Sequence, residues 1–336
     1  MKYRLFTALT VMSAVCMTAP AAGNGISDSG DFALVRISVA NMRSKPGHSQ
    51  ELASQAVMGT PVKLLSKEGD WYKVESPDGY TGWIIDNSLQ PLSPEQFDNW
   101  RKTPRLVMTS HYQIRLYTDS LTDCPRNTVT DLVNGCIVQL SSAYTPSGET
   151  CCKKKSRGRV KVTLPDGRDG WGDMAAFTAA TEWADQQFDA EKILTLAYSM
   201  IGQPYLWGGT STKSLDCSGL SKVCYLNNGI ILMRDASQQA RTGSRIEASD
   251  WRSCQAGDLL FFGNATTGKV THVAIYDHNG NYVHSSGRVK RNSVDPDSET
   301  YLSTPFLHAV RIHGNEGSEG ITRVIDHPWY FLTSTN

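Results

Sequence analysis

The pentapeptide Leu215-Asp216-Cys217-Ser218-Gly219 follows a glycine-rich turn and opens an apolar-periodic segment, a pattern that sets a cysteine at a helix N-terminus. There the unpaired backbone N–H groups and the positive end of the helix dipole favour thiolate over thiol. They predict a pKa below the usual ~8.5 and a nucleophilic sulfur. Leu220, Val223, Cys224 and Tyr225 recur at three- and four-residue spacing, and Asn228-Gly229 supplies a left-handed stop. Just upstream, Gly202-Gln203-Pro204-Tyr205-Leu206-Trp207-Gly208-Gly209 cannot be helical and must loop past the same helix end, which can bring Tyr205 near the sulfur.

A base for that sulfur is sought in the hairpin that His272-Val273-Ala274-Ile275-Tyr276 and Tyr282-Val283-His284 predict. A two-residue Asn279-Gly280 turn pairs 275 with 284 and puts the two histidines on opposite faces. A three-residue loop, His278-Asn279-Gly280, with glycine in the left-handed position, pairs 274 with 284 and makes His272 and His284 diagonal neighbours on one face. With Ala274 as the small residue between them, that face can accept a cysteine from a helix packed against it. His272 would take the thiol proton, and His284 would hold its other nitrogen. Taken singly, a buried cysteine and two strand histidines are ordinary packing residues; only jointly do they suggest chemistry. Cys224 and Cys254 lack such a setting and read as buried thiols or a pair, and His278, His308 and His313 as ordinary histidines.

Around this core the chain reads as several units. Short β-type runs, Leu34 to Val39, Val62 to Leu65, Trp71 to Val74 and Gly82 to Ile85, alternate with Lys45-Pro46-Gly47 and Pro77-Asp78-Gly79, as in a small barrel. The stretch Trp71 to Trp83 recurs 88 residues later as Arg159 to Trp171, with seven of thirteen positions identical, so a second copy of the β-module is expected from about Arg105 to Phe177. Its Cys151 to Lys155 insertion is expected to be a solvated loop with a structural disulfide rather than a polyanion-binding patch. A helix is expected from an Asp189 cap to a Gly202 stop, burying Ile193, Leu194, Ala197, Met200 and Ile201. Arg234 to Gln239 reads as a polar loop, and Ala256-Gly257-Asp258 turns into a buried strand, Leu259 to Phe262. The tail from Gly314 suggests packing alone.

Lys2 and Arg4, an apolar run to Met17 and the small residues Ala19-Pro20-Ala21 have the form of a secretory signal over residues 1–21, too short to span a bilayer. Cys16 raises a lipoprotein alternative. Without Lys2 and Arg4, 31 basic residues face 33 acidic ones, a net charge of about −2 that offers no field for nucleic acid or anionic membrane. Seven cysteines remain besides Cys16. Their odd number leaves at least one thiol free or paired between chains, and no Cys-x-x-Cys suggests zinc or thioredoxin chemistry. No metal and no cofactor are expected.

Asn41 to Pro46, Asp70 to Val74 and Gly79 to Ile84 resemble the bacterial SH3-like domains of cell-wall proteins. Pro204-Tyr205-x-Trp207-Gly208-Gly209, Asp216-Cys217-Ser218-Gly219, Gly257-Asp258-Leu259, Thr271 to Tyr276 and Val283-His284 resemble the NlpC-type cell-wall cysteine peptidases. With SH3-like modules in front, the chain is similar to the γ-D-glutamyl-L-diamino acid endopeptidases, or dipeptidyl-peptidase VI group. The resemblance implies an α+β fold: a papain-like peptidase domain over 189–336, preceded by two SH3-like β-barrels over 31–92 and 104–178. It implies Cys217 as nucleophile, His272 as base, His284 as the third residue and Tyr205 beside the oxyanion hole. Substrate contacts fall on Asp216, Ser218 and Ser237, with Glu51 and Tyr80 from the first module. The implied reaction is hydrolysis of the γ-D-Glu–L-diamino acid bond of murein peptides with a free N-terminal L-Ala, by an exported, monomeric enzyme. Two other readings share these features: a non-catalytic murein-binding adaptor, and an acyltransferase in which an amine replaces water.

Overall fold

The computed structural model describes residues 31–121, 123–141 and 158–332. The expected leader with Cys16, and the Cys151 to Lys155 loop with its disulfide, lie outside them. The first β-module comprises β1 (Phe32–Val35), β2 (Val39–Arg43), β3 (Leu52–Val57), β4 (Pro61–Glu68), β5 (Trp71–Glu75), β6 (Thr81–Ile85) and β7 (Leu89–Leu92). The expected single run Leu34 to Val39 is thus two strands. Arg36 leaves the ladder by donating its N–H to the Ser88 carbonyl, which turns the chain between them.

Helix α1 (Pro94–Lys102) starts on a Ser93 capping box with proline in its first turn, and leads into β8 (Arg105–Met108), β9 (Gln113–Tyr117), β10 (Thr128–Val133), β11 (Ile137–Leu140), β12 (Arg159–Thr163), β13 (Asp169–Asp173) and β14 (Phe177–Ala179). The strand orders of the two sheets, β3-β2-β6-β5-β4-β1-β7 and β10-β9-β13-β12-β11-β8-β14, are the same order seven strands apart. Even the register repeats: Val74 faces Gly82, and 88 residues on, Val162 faces Gly170. The sequence repeat is therefore a repeat of structure, and it includes the front half of the second copy, where the sequence pattern fades.

After the short α2 (Ala180–Ala184), α3 (Ala190–Ser199) starts with Asp189 accepting from the Lys192 N–H and buries Ile193, Leu194 and Ala197. Ile201 lies past the helix end and is 50% exposed, so it does not belong to that face. Then follow β15 (Thr210–Ser211), β16 (Ser214–Leu215), α4 (Cys217–Asn227), β17 (Ile230–Leu232), α5 (Ala236–Gln239), β18 (Ser244–Glu247), β19 (Leu259–Gly263), β20 (Val270–Tyr276), β21 (Asn281–Ser286), β22 (Arg288–Ser293), β23 (Phe306–Arg311) and β24 (Ile321–Arg323). Six of these strands form one antiparallel sheet, ordered β18-β23-β19-β20-β21-β22. The result is an α+β architecture behind two β-modules. The supposed polar loop at Arg234 contains α5, because Asp235 and Gln238 cap each other's backbone.

The tail does more than pack. β24 pairs with β17, and the residues after it lie among the units. Trp329 meets the Phe32 ring and Tyr330 the Trp183 ring. His327 Nε2 meets the Pro77 carbonyl at 2.9 Å, and Arg105 donates to the Tyr330 carbonyl at 2.6 Å.

Candidate active site

Asp216 caps α4: its Oδ1 accepts from the Gly219 N–H at 2.7 Å, which leaves Cys217 as the first helical residue. Gly219 has no alternative, since a Cβ there would stand 2.0 Å from the Gly209 carbonyl oxygen. The loop before the helix runs back along the sheet. Tyr205 donates its N–H to the Gly287 carbonyl, and Gly208, at φ +78°, passes so close to Leu52 of the first module that only glycine fits.

β20 and β21 pair Ile275 with Val283 and Tyr276 with Tyr282, the register of the three-residue loop. Gly280 takes a positive φ as expected; Asn279 does too, a conformation its short side chain tolerates. His272 Nε2 lies 2.8 Å from His284 Nδ1. His284 Nε2 lies 2.9 Å from Asn292 Oδ1, and the Asn292 amide donates to the Thr300 carbonyl at 2.9 Å. That last bond orients the amide, so Asn292 presents an acceptor and His284 Nε2 must carry hydrogen. In neutral His284 the Nδ1 is then an acceptor, His272 Nε2 carries hydrogen, and the Nδ1 of His272 keeps its lone pair.

The route of the sulfur to this pair differs from expectation. Helix α4 packs its Leu220, Val223 and Cys224 on the Val273, Ile275 and Val283 face, whereas Ala274, with Phe262 and Tyr282, lies on the other. Cys217 instead packs against the α4 side of the sheet with its sulfur at the Val273 backbone, and shares one groove with His272, which lies beyond the β20–β21 pairing.

The thiol is also not acidified. Burial first, and the Asp216 carboxylate second, push Cys217 up to about 11, against the backbone at Val273 and Ser218 and the charge of Arg234. The helix dipole is overridden because the sulfur is taken out of water beside an anion. Burial, then His284, then Lys290 bring His272 down to about 3. Burial brings His284 down to about 4 in spite of its bond to Asn292. Near neutral pH all three are uncharged. Burial, then Cys217 and Asp216, lift the Tyr205 phenol to about 12, so it is a neutral donor.

A groove of about 640 Å³ gathers eight of the nine expected residues: Glu51, Tyr80, Tyr205, Asp216, Cys217, Ser218, Ser237 and His272. His284 stands behind His272, outside it. Arg234 and Asp235 also line it, and neither had been singled out. Arg234 is buried, donating to Asp216 Oδ2 at 2.5 Å, Ser218 Oγ at 2.9 Å and Ser54 Oγ at 3.1 Å. Asp216 takes a further bond from the Gly208 N–H at 3.0 Å. Its carboxylate is thus consumed within the protein. Glu51 accepts from Trp207 Nε1 at 2.8 Å, while half-buried Asp235, lifted by burial and then by Asp216 and Asp78, opens on the groove near Tyr80. The only sequence signal for Arg234 and Asp235 was their position just before Ser237; for Asn292 there was none.

Among the described residues no cluster of His, Cys, Asp and Glu could hold a metal ion, and no helix is long and apolar enough to cross a membrane. Cys224 and Cys254 are separate buried thiols.

Residues 38–90 match the bacterial SH3 domain, and residues 202–311 match the NlpC/P60 family. The chain is 28% identical over 270 residues to a γ-D-glutamyl-L-lysine dipeptidyl-peptidase of Bacillus cereus, covering 77% of this chain and 73% of that one. It is 34% identical over 114 residues to the probable endopeptidase NlpC of Escherichia coli, covering 33% of this chain and 70% of the relative. The crystal structure of an NlpC/P60 family protein from Bacillus cereus shares the fold, with a TM-score of 0.68 at 23% identity over 83% of this chain and 99% of that one. With the cysteine, the paired histidines and the preceding β-module in this order and geometry, the chain belongs to the NlpC/P60 family.

Proposed function

We propose that this chain is a cysteine peptidase that cleaves the γ-D-glutamyl–L-diamino acid bond of murein peptides bearing a free N-terminal L-alanine, releasing L-Ala-γ-D-Glu. The observation that carries it is that Cys217 and His272 line one groove whose far wall, Glu51 and Tyr80, belongs to the first module. In the domain division we propose, the modules span 31–92 and 104–178 and the peptidase domain begins at 189. We also propose export, on the leader-like residues 1–21.

Both dyad members begin neutral. His272 Nδ1 takes the Cys217 proton as the sulfur attacks the γ-carbonyl carbon. The backbone at the start of α4 and the Tyr205 hydroxyl then face the developing oxyanion. The imidazolium gives its proton to the leaving amine as the C–N bond breaks, leaving a thioester. A water, deprotonated by the same nitrogen, attacks that thioester and frees the thiol. At the module end, Glu51 and Asp235 with the Tyr80 hydroxyl suit an ammonium, while Asp216 acts by holding Arg234 and the helix start. An N-acylated substrate would leave that acidic end unpaired.

The experiment compares L-Ala-γ-D-Glu-diaminopimelate with its N-acetyl form, using the wild type and Cys217→Ala. We expect release of L-Ala-γ-D-Glu from the free amine only, and none from Cys217→Ala. Equal kcat/KM for the two peptides would remove the dipeptide-releasing reading, and turnover by Cys217→Ala would remove the mechanism.

A further inference from the structure

Behind the imidazoles lies a second, smaller cavity of about 110 Å³, with His272, His284, Tyr282, Ser286 and Thr304 among its walls. We propose that this cavity, with Lys290 and Arg288 on the strand beside it, is the subsite for the leaving half of the substrate and accepts its carboxylate. The inference rests on the peptidase reading of Cys217 and His272.

Position comes first. His272 walls both the main groove and the small cavity. If the acyl half runs from Glu51 and Tyr80 to Cys217, the departing amine takes its proton from His272, and the rest of the leaving group lies past that ring. The carbon bearing this amine also bears the carboxyl group, so a negative charge is delivered within a few bonds of the imidazole.

Charge comes second. In the β21–β22 ladder Tyr282 faces Asn292, His284 faces Lys290 and Ser286 faces Arg288. Residues directly opposite share a face, with Cβ atoms about 5 Å apart. The alternation agrees: Val289, between the two cations, is buried in the core on the α4 side of the sheet. Lys290 and Arg288 therefore stand next to the two cavity residues they face. Neither has a carboxylate partner among the described residues. Tyr282, in the cavity wall, is 1% exposed, and its hydroxyl has no partner among the described residues, a buried polar group left unsatisfied.

An unpaired cation beside a general base is a handicap, because it opposes the proton that the base must take; Lys290 contributes to the depression of both histidines. A carboxylate bound there would cancel that charge. His272 would then be a stronger base with substrate in place than without it, and the substrate would tune its own catalyst.

The test uses L-Ala-γ-D-Glu-L-Lys and the corresponding meso-diaminopimelate peptide, each with the α-carboxylate of its diamino acid free or converted to the amide. Hydrolysis of any of them by the wild type decides the peptidase reading. The subsite is decided separately, by calorimetric affinities of Cys217→Ala for acid and amide. We expect the acid to bind roughly tenfold tighter, the size of one charge-assisted contact, and the ratio to approach one when Lys290→Gln and Arg288→Gln are added. In active enzyme, the acid limb of kcat should lie above that of kcat/KM for the acid, but not for the amide. Equal affinities for acid and amide, or an acid preference that persists in the doubly neutralised variant, would overturn the proposal.

Discussion

Asn292 Oδ1 stands 2.9 Å from His284 Nε2 and, held there by the Thr300 carbonyl, fixes which nitrogen of each histidine carries hydrogen. Asn292→Leu frees His284 to adopt the other tautomer and turn its N–H toward His272. We expect kcat/KM to drop by about 10- to 100-fold, as for other partners one step behind a reacting group, with the fold retained. Asn292→Asp keeps an acceptor and adds an anion, which should restore most of the rate and move the acid limb upward. A leucine variant with the wild-type rate and profile would refute this role.

The neutral dyad sets the pH dependence. His272 is brought down to about 3, so kcat/KM should stay level from about pH 7 to about 5, where an unperturbed histidine would already be titrating. The alkaline fall should track the substrate's own ammonium, near pH 8 for an α-amine, well before a thiol pushed up to about 11 ionises. An acid limb centred at 6.5 would contradict the neutral pair.

Arg234 and Asp216 hold each other inside the protein. Arg234→Met leaves a buried carboxylate with its cap bond but no counter-charge, and should cost about 3–5 kcal/mol in urea unfolding. Adding Asp216→Asn should recover part of that loss, and the cycle gives their coupling. Strict additivity would mean that the pair carries no shared energy.

The Asp78 carboxylate in the first module meets Lys222 on α4 at 2.5 Å, both largely out of water. Burial alone would lift Asp78, but Lys222 and Ser76 more than offset it. Asp78→Ala strands a buried ammonium and loosens the module that forms the far wall of the groove. We expect a rise in KM of roughly tenfold with a smaller change in kcat, together with about 3 kcal/mol of lost stability. Unchanged KM would mean that docking does not depend on this pair.

Local signals were legible where the chemistry is local. The Asp189 cap, the Gly202 and Gly229 stops and the register set at Asn279-Gly280 all depend on neighbours within a few positions, and the 88-residue repeat carried its topology with it. The role of Arg234 is not legible in the sequence because its partners, Asp216 and Ser54, come from other elements and a different module. Asn292 acquires its role only through the pairing of β21 with β22. The sign of the Cys217 shift was missed because a helix start can be recognised in sequence, whereas the burial that outweighs it cannot.

The last described segment has a bearing on timing. Its bonds reach back 250 residues to Pro77 and 227 to Arg101, so the wall of the groove is fastened by residues that follow the peptidase motifs. In a chain growing from its N-terminus, the cysteine and both histidines exist well before the residues that pin the first module opposite them. Assembly of the groove, unlike synthesis of its parts, has to wait for residues 327–330.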